Sequence, residues 1–204
     1  VYTSSIEAEA ESLDKAPLDD YQLLAYETSY RPSKYMGDLI VTQLDRELGA
    51  EPKGEGKGSS TRPIRVISAE PGCVATNIAV AGLGAWAWLV QIKWICYWLS
   101  FYIANLLGSK HHPVYATEGA APMLYAALVA DTFLLPASRQ PGPKVHVVSH
   151  RRGPATVQYG EVDQWEANAD VARGLAERCE ATRQDWHKRE VSESEAETDK
   201  NDQQ

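Results

Sequence analysis

A chain of 204 residues with 44% hydrophobic content has the size of one ordinary domain and can bury a real core. Its net charge of −8 is uneven: residues 190–204 hold six acidic residues and one lysine, which leaves only −3 for the body. No basic stripe is present, which argues against nucleic acid as a partner. Three scattered cysteines, Cys73, Cys96 and Cys179, form neither a metal nor a redox motif and point to a reducing compartment.

In chain order, Val1–Ser5 reads as the end of a β-strand. Residues 6–28 are polar and acidic, a loop with a short helical turn, in which Asp14, Asp19 and Asp20 read as solvated. From about Ser29 the period becomes helical, with Met36, Leu39, Ile40, Leu44 and Leu48 on one stripe. Gly49–Pro63 is a linker by composition. Ile64–Ala69 reads as a buried strand that "EPG" stops. Thr117–Ala130 reads as a helix with Thr117 as N-cap, and Lys144–Ser149 as another strand. A weaker helical stripe runs through Trp165, Ala169, Ala172, Leu175, Ala176, Cys179 and Trp186. Residues 190–204 are expected to be a disordered acidic tail. Strands alternating with helices predict an α/β fold with a parallel sheet.

One constellation carries chemistry. Tyr30 and Lys34 stand four residues apart where a helix begins, so both lie on one face. A ketone reduced by hydride needs a proton for its developing alkoxide. A tyrosine ionises only near pH ~10, and an adjacent ammonium favours its phenolate. A serine at a neighbouring strand end, Ser5 or Ser4, can hold the substrate oxygen. Tyr-x-x-x-Lys alone is common and usually marks a helix surface. The order strand-"TSS", helix-"YRPSK", strand-"PGCVAT" is more specific.

That order resembles the short-chain dehydrogenase/reductase family. The resemblance implies the C-terminal part of a Rossmann-type parallel sheet, without the N-terminal nucleotide-binding half. It implies Tyr30 as proton donor, Lys34 as its tuning cation and ribose ligand, and Ser5 as the carbonyl-orienting serine, with Ser4 the alternative. Pro71, Gly72 and Thr76 would line the nicotinamide end of NADPH. Ser5 and Tyr30 are further apart than is usual in the family, which indicates an insert. "TSSIEA", "LDDYQLL" and "SYRPSKYMGDLI" are similar to the 3-ketosteroid reductases of fungal sterol biosynthesis. The resemblance covers residues 1–135. It implies NADPH-dependent reduction of the 3-keto group of a C4-demethylated sterol to the 3β-alcohol.

Between Asn77 and Ser109 the only charged residue is Lys93, and four of the six tryptophans fall there. Residues 79–108 read as an interfacial helix pair, a buried substrate lid or a membrane span. Lys93 and Gln91 at the centre count against spanning, and an interfacial helix lets Lys93 snorkel. A membrane-dissolved sterol entering through such a lid implies the endoplasmic reticulum membrane and lipid droplets, beside other sterol C4-demethylation enzymes.

No glycine-rich turn follows a strand here, and "GEGKG" (Gly54–Gly58) lies in a linker after a helix. The chain is therefore expected to be part of a longer protein and inactive as it stands. Residues 1–150 are assigned to the reductase domain and 151–189 to a helical extension. Two other functions compete: reduction of another lipid ketone or retinoid, and a non-catalytic membrane-associated scaffold of sterol enzymes. His111 and His112 lack partners at metal-ligand spacing.

Overall fold

The computed structural model describes residues 1–15, 20–24, 29–49, 64–74, 87–112, 115–128 and 142–201. Thr76, linker residues 50–63, insert residues 16–19 and 25–28, and residues 75–86 of the apolar segment lie outside the described residues.

The fold is α/β. Strands β1 (Tyr2–Thr3), β2 (Ser68–Glu70), β3 (Pro143–Val148) and β4 (Thr156–Glu161) form one sheet in the order β1-β2-β3-β4. The first three run parallel, and β4 returns antiparallel to β3 in a six-pair register from Pro143↔Glu161 to Val148↔Thr156. The three parallel strands are the three predicted. β4 is an addition, inside the stretch expected to be a purely helical extension. Its sequence TVQYGE alternates weakly, as an edge strand with one half-covered face does. β3 is buried at five of its six positions, the pattern of a strand covered on both faces.

Helix α1 (Tyr30–Leu48) carries the buried positions Tyr35, Leu39 and Thr42 at helical spacing. Pro32 sits in its first turn, where a missing N–H breaks no helical bond. The predicted stripe is turned: Met36 and Leu39 are buried, but Leu48 is 46% exposed, while Asp38 and Asp45 are fully buried. The cause is that α1 packs on three sides at once, against helix α4 (Ala169–Asn201), the short 3-10 helix of the insert and strand β1.

Among the described residues two apolar clusters hold the fold. One joins Tyr35, Met36 and Leu39 of α1 to Ala172 and Leu175 of α4, with Val162 and Trp165 between. Ala8, Ala10 and Leu23 of the insert belong to it, so the insert is more than a solvated loop. Its short 3-10 helix, Ala10–Lys15, packs on α1, and Tyr21 shares a 2.8 Å hydrogen bond with Thr182 of α4. Tyr35 donates to the Asp163 carbonyl at 2.7 Å, and burial pushes its phenol up to about 12. The second cluster sets Ile67, Ala69 and Val145 of the sheet against Ala126 of helix α3 (Ala116–Leu128). α3 begins at Ala116, so Thr117 lies inside its first turn rather than capping it.

The reading of the tail needs correction. The acidic tail is helical through Asn201, as a continuation of α4. Its Glu, Ala and Lys residues have good helix propensity, and a helix already anchored at Ala172 and Leu175 needs no new nucleus to extend. The apolar segment holds helix α2 (Ala87–Leu106), and no helix among the described residues is long and apolar enough to cross a membrane.

Candidate active site

The strands β1, β2 and β3 end on the same edge of the sheet, the edge where open α/β folds bind ligands. Ser4 N–H donates to the Ala69 carbonyl at 2.8 Å, which carries the β1–β2 pairing one residue past the strand. Continuing that register sets Ser5 beside Pro71.

Helix α1 opens at this edge. Tyr30, its first residue, is 54% exposed, and its hydroxyl donates to Ser5 Oγ at 3.3 Å. Ser5 is nearly buried and also accepts from the Glu7 N–H at 3.2 Å. One turn on, Lys34 Nζ donates to the Thr3 carbonyl at 2.9 Å. The same ammonium lies 5.8 Å from the Tyr30 ring centre and 5.5 Å from that of Tyr2. The structure thus brings Ser5, Tyr30 and Lys34 together across a separation of 25 residues. Ser4 points elsewhere: its hydroxyl donates to Asp38 Oδ2 at 2.6 Å inside the fold. Between the two serines, Ser5 is the one whose hydroxyl meets Tyr30.

Pro71 and Gly72 form the turn that ends β2. Gly72 has φ 71°, the left-handed region that glycine occupies without strain. The Cys73 N–H donates to the His111 carbonyl at 2.8 Å, pinning the turn. Burial pushes the Cys73 thiol up, helped by the carboxylates of Glu7 and Glu70. Behind it α3 approaches so closely that a Cβ at Gly119 would collide with Val74.

Beneath the site lies a buried polar cluster absent from the sequence reading. Asp38, fully buried, accepts from Ser4 Oγ at 2.6 Å, Ser68 Oγ at 2.9 Å and Lys144 Nζ at 3.2 Å. Lys144 also pairs with Glu70 at 3.2 Å and reaches the Ser5 carbonyl at 3.5 Å. Its sequence signal was spacing: Asp38 follows Lys34 by four residues, as Lys34 follows Tyr30.

No group of three or more metal-ligating side chains is present among the described residues. The residues here leave polar groups open to a ligand. Tyr30 is half exposed, and the Lys34 ammonium has donors beyond the one spent on Thr3.

No protein-family model matches the chain, and no solved structure does. Among curated proteins it is 31% identical over 131 residues to the 3-keto-steroid reductase erg27 of Schizosaccharomyces pombe. The match takes in 64% of this chain and 32% of that protein, so the chain spans about a third of the relative's length. The chain is therefore distantly similar to a 3-keto-steroid reductase.

Proposed function

We propose that the protein reduces the 3-keto group of a C4-demethylated sterol to the 3β-alcohol with NADPH. The observation that carries this reading is the Tyr30 hydroxyl on Ser5 Oγ, with the Lys34 ammonium beside the same ring. The similarity to a 3-keto-steroid reductase supplies the substrate class.

In this reading the Tyr30 hydroxyl turns from Ser5 Oγ to the substrate carbonyl oxygen, which lies against both hydroxyls. Ser5 orients it, held by the Glu7 N–H. Tyr30 gives its phenolic proton to the developing alkoxide, and Lys34 stabilises the phenolate left behind. NADPH, when bound, would supply the hydride. Lys34 and Tyr30 would hold its ribose, and Pro71, Gly72 and Thr76 its nicotinamide end.

The proposed location is the endoplasmic reticulum membrane and lipid droplets, with the other sterol C4-demethylation enzymes as partners. Support comes from α2, whose Trp88, Trp94 and Trp98 are all exposed on a helix with one charge, Lys93. Such a helix suits the bilayer interface.

The test uses protein expressed from the complete gene, supplied with NADPH and a 3-keto sterol, with the 3β-alcohol measured by mass spectrometry. Tyr30→Phe should lower the rate ~10²–10⁴-fold, the worth of general acid catalysis. Full activity in Tyr30→Phe would sink the reading. Turnover of retinoid or other lipid ketones in preference to sterols would move the substrate but keep the chemistry.

A further inference from the structure

The cluster under the site does not look like a device for stability. Asp38 is fully buried, and Lys144 and Glu70 nearly so. Desolvating such ions costs as much as their attraction returns, and apolar residues of equal size often serve stability as well or better. Two carboxylates also share one ammonium, an arrangement that stability alone would not favour.

Its connections follow a pattern. Tyr30, Lys34 and Asp38 form a stripe at four-residue spacing on α1, and each holds one of three consecutive residues at the end of β1. Lys34 takes the Thr3 carbonyl, Asp38 takes the Ser4 hydroxyl, and Tyr30 takes the Ser5 hydroxyl. Lys144 then ties the Asp38 carboxylate to the Ser5 carbonyl, and through Glu70 to the residue preceding Pro71. Ser68 brings β2 to the same carboxylate. The segments bearing Ser5, Tyr30 and the Pro71–Gly72 turn are thus fastened to a single buried ion pair.

We propose that Asp38 and Lys144 are positioning residues that set the Ser5 and Tyr30 hydroxyls in register for proton transfer. The proposal rests on the reductase reading above. It assigns neither residue a contact with substrate: they act through Ser4, the Ser5 peptide and the first turns of α1. A misplacement of about 1 Å at reacting groups can cost ~10²-fold in rate, so a loosened Ser5 has a measurable cost.

The test takes protein expressed from the complete gene and measures kcat per folded molecule, KM for the sterol ketone and the solvent deuterium isotope effect on kcat. Asp38→Asn keeps the shape but removes the charge that holds Lys144. Lys144→Met removes the tie to Ser5, and Lys144→Arg keeps a cation there. Asp38→Asn and Lys144→Met should each lower kcat ~10–100-fold, leave KM within about threefold, and enlarge the isotope effect as proton transfer becomes limiting. Lys144→Arg should recover most of the kcat lost in Lys144→Met. A merely structural role would lower the folded fraction and leave kcat per folded molecule and the isotope effect unchanged, which overturns the proposal. Where the charge variants fail to fold, Ser4→Ala decides. It deletes one hydroxyl, and an unaltered kcat with an unaltered isotope effect overturns the proposal equally. Tyr30→Phe runs as control. A fully active Tyr30→Phe brings down the reductase reading and this proposal together. An inactive Tyr30→Phe beside fully active Asp38→Asn and Lys144→Met overturns the positioning role alone.

Discussion

Helices α1 and α2 are nearly equal in length, 19 and 20 residues, and opposite in what they bury. α1 hides Asp38 and Asp45 completely. α2 is far more apolar, yet leaves Trp88 55% and Ile95 54% exposed. Among the described residues only Phe101 of α2 is buried, with its ring edge-on to His112 at 5.1 Å between centres. Burial here follows partners, not hydrophobicity. The α1 carboxylates go inside because the fold supplies Ser4, Ser68, Lys144 and Arg65 to meet them. Each unmet buried charge would otherwise cost several kcal/mol.

Substitutions test this contrast, and the largest effect is expected on α1. Asp45 takes two hydrogen bonds from Arg65, at 2.8 and 3.0 Å, and a third from the Val66 N–H at 2.8 Å. Asp45→Ala strips the nearly buried guanidinium of this partner and should cost about 3–5 kcal/mol in a denaturant titration. A cost under about 1 kcal/mol would mean that the carboxylate is not held inside. Next comes Leu39→Ala, at a fully buried position between α1 and α4, with an expected loss of about 2–5 kcal/mol.

On α2, Trp88→Ser should change stability by no more than about 0.5 kcal/mol while weakening binding to phospholipid vesicles. A large loss of stability would show that this face packs against protein and would erase the contrast. The smallest effect concerns His146, half-buried on β3. Burial, as the largest influence, pushes its imidazole below the ordinary value, with Glu70 opposing and Lys144 and His111 assisting. The folded chain therefore favours the neutral ring, whereas the unfolded chain takes a proton near pH ~6.5. Stability should fall as pH drops through that value towards the folded one, and His146→Gln should flatten the slope.

Much of the site was legible because its parts are local. Tyr30 and Lys34 sit one helical turn apart, and Pro71–Gly72 is a contiguous turn; neither is specific alone, but their order along the chain exposes them. The three parallel strands announced themselves as short apolar runs. β4 did not, since a half-covered edge strand needs little apolar content. The buried cluster escaped for a different reason. Glu70 and Lys144 lie 74 positions apart, and Asp38 is far from both, so no window along the chain contains them together.

By itself the sequence determined the helical stripe that carries Tyr30 and Lys34, the order of the three parallel strands and the helices, and the turn at Gly72. All follow from periodicity and backbone sterics within a few residues. Only the tertiary structure decided which serine meets Tyr30, that Asp38 and Lys144 are buried beneath it, and that, among the described residues, α2 is left largely exposed while α1 is enclosed. Those outcomes depend on which strand ends lie side by side. Sheet pairing between residues more than sixty positions apart sets that, and no local propensity encodes it.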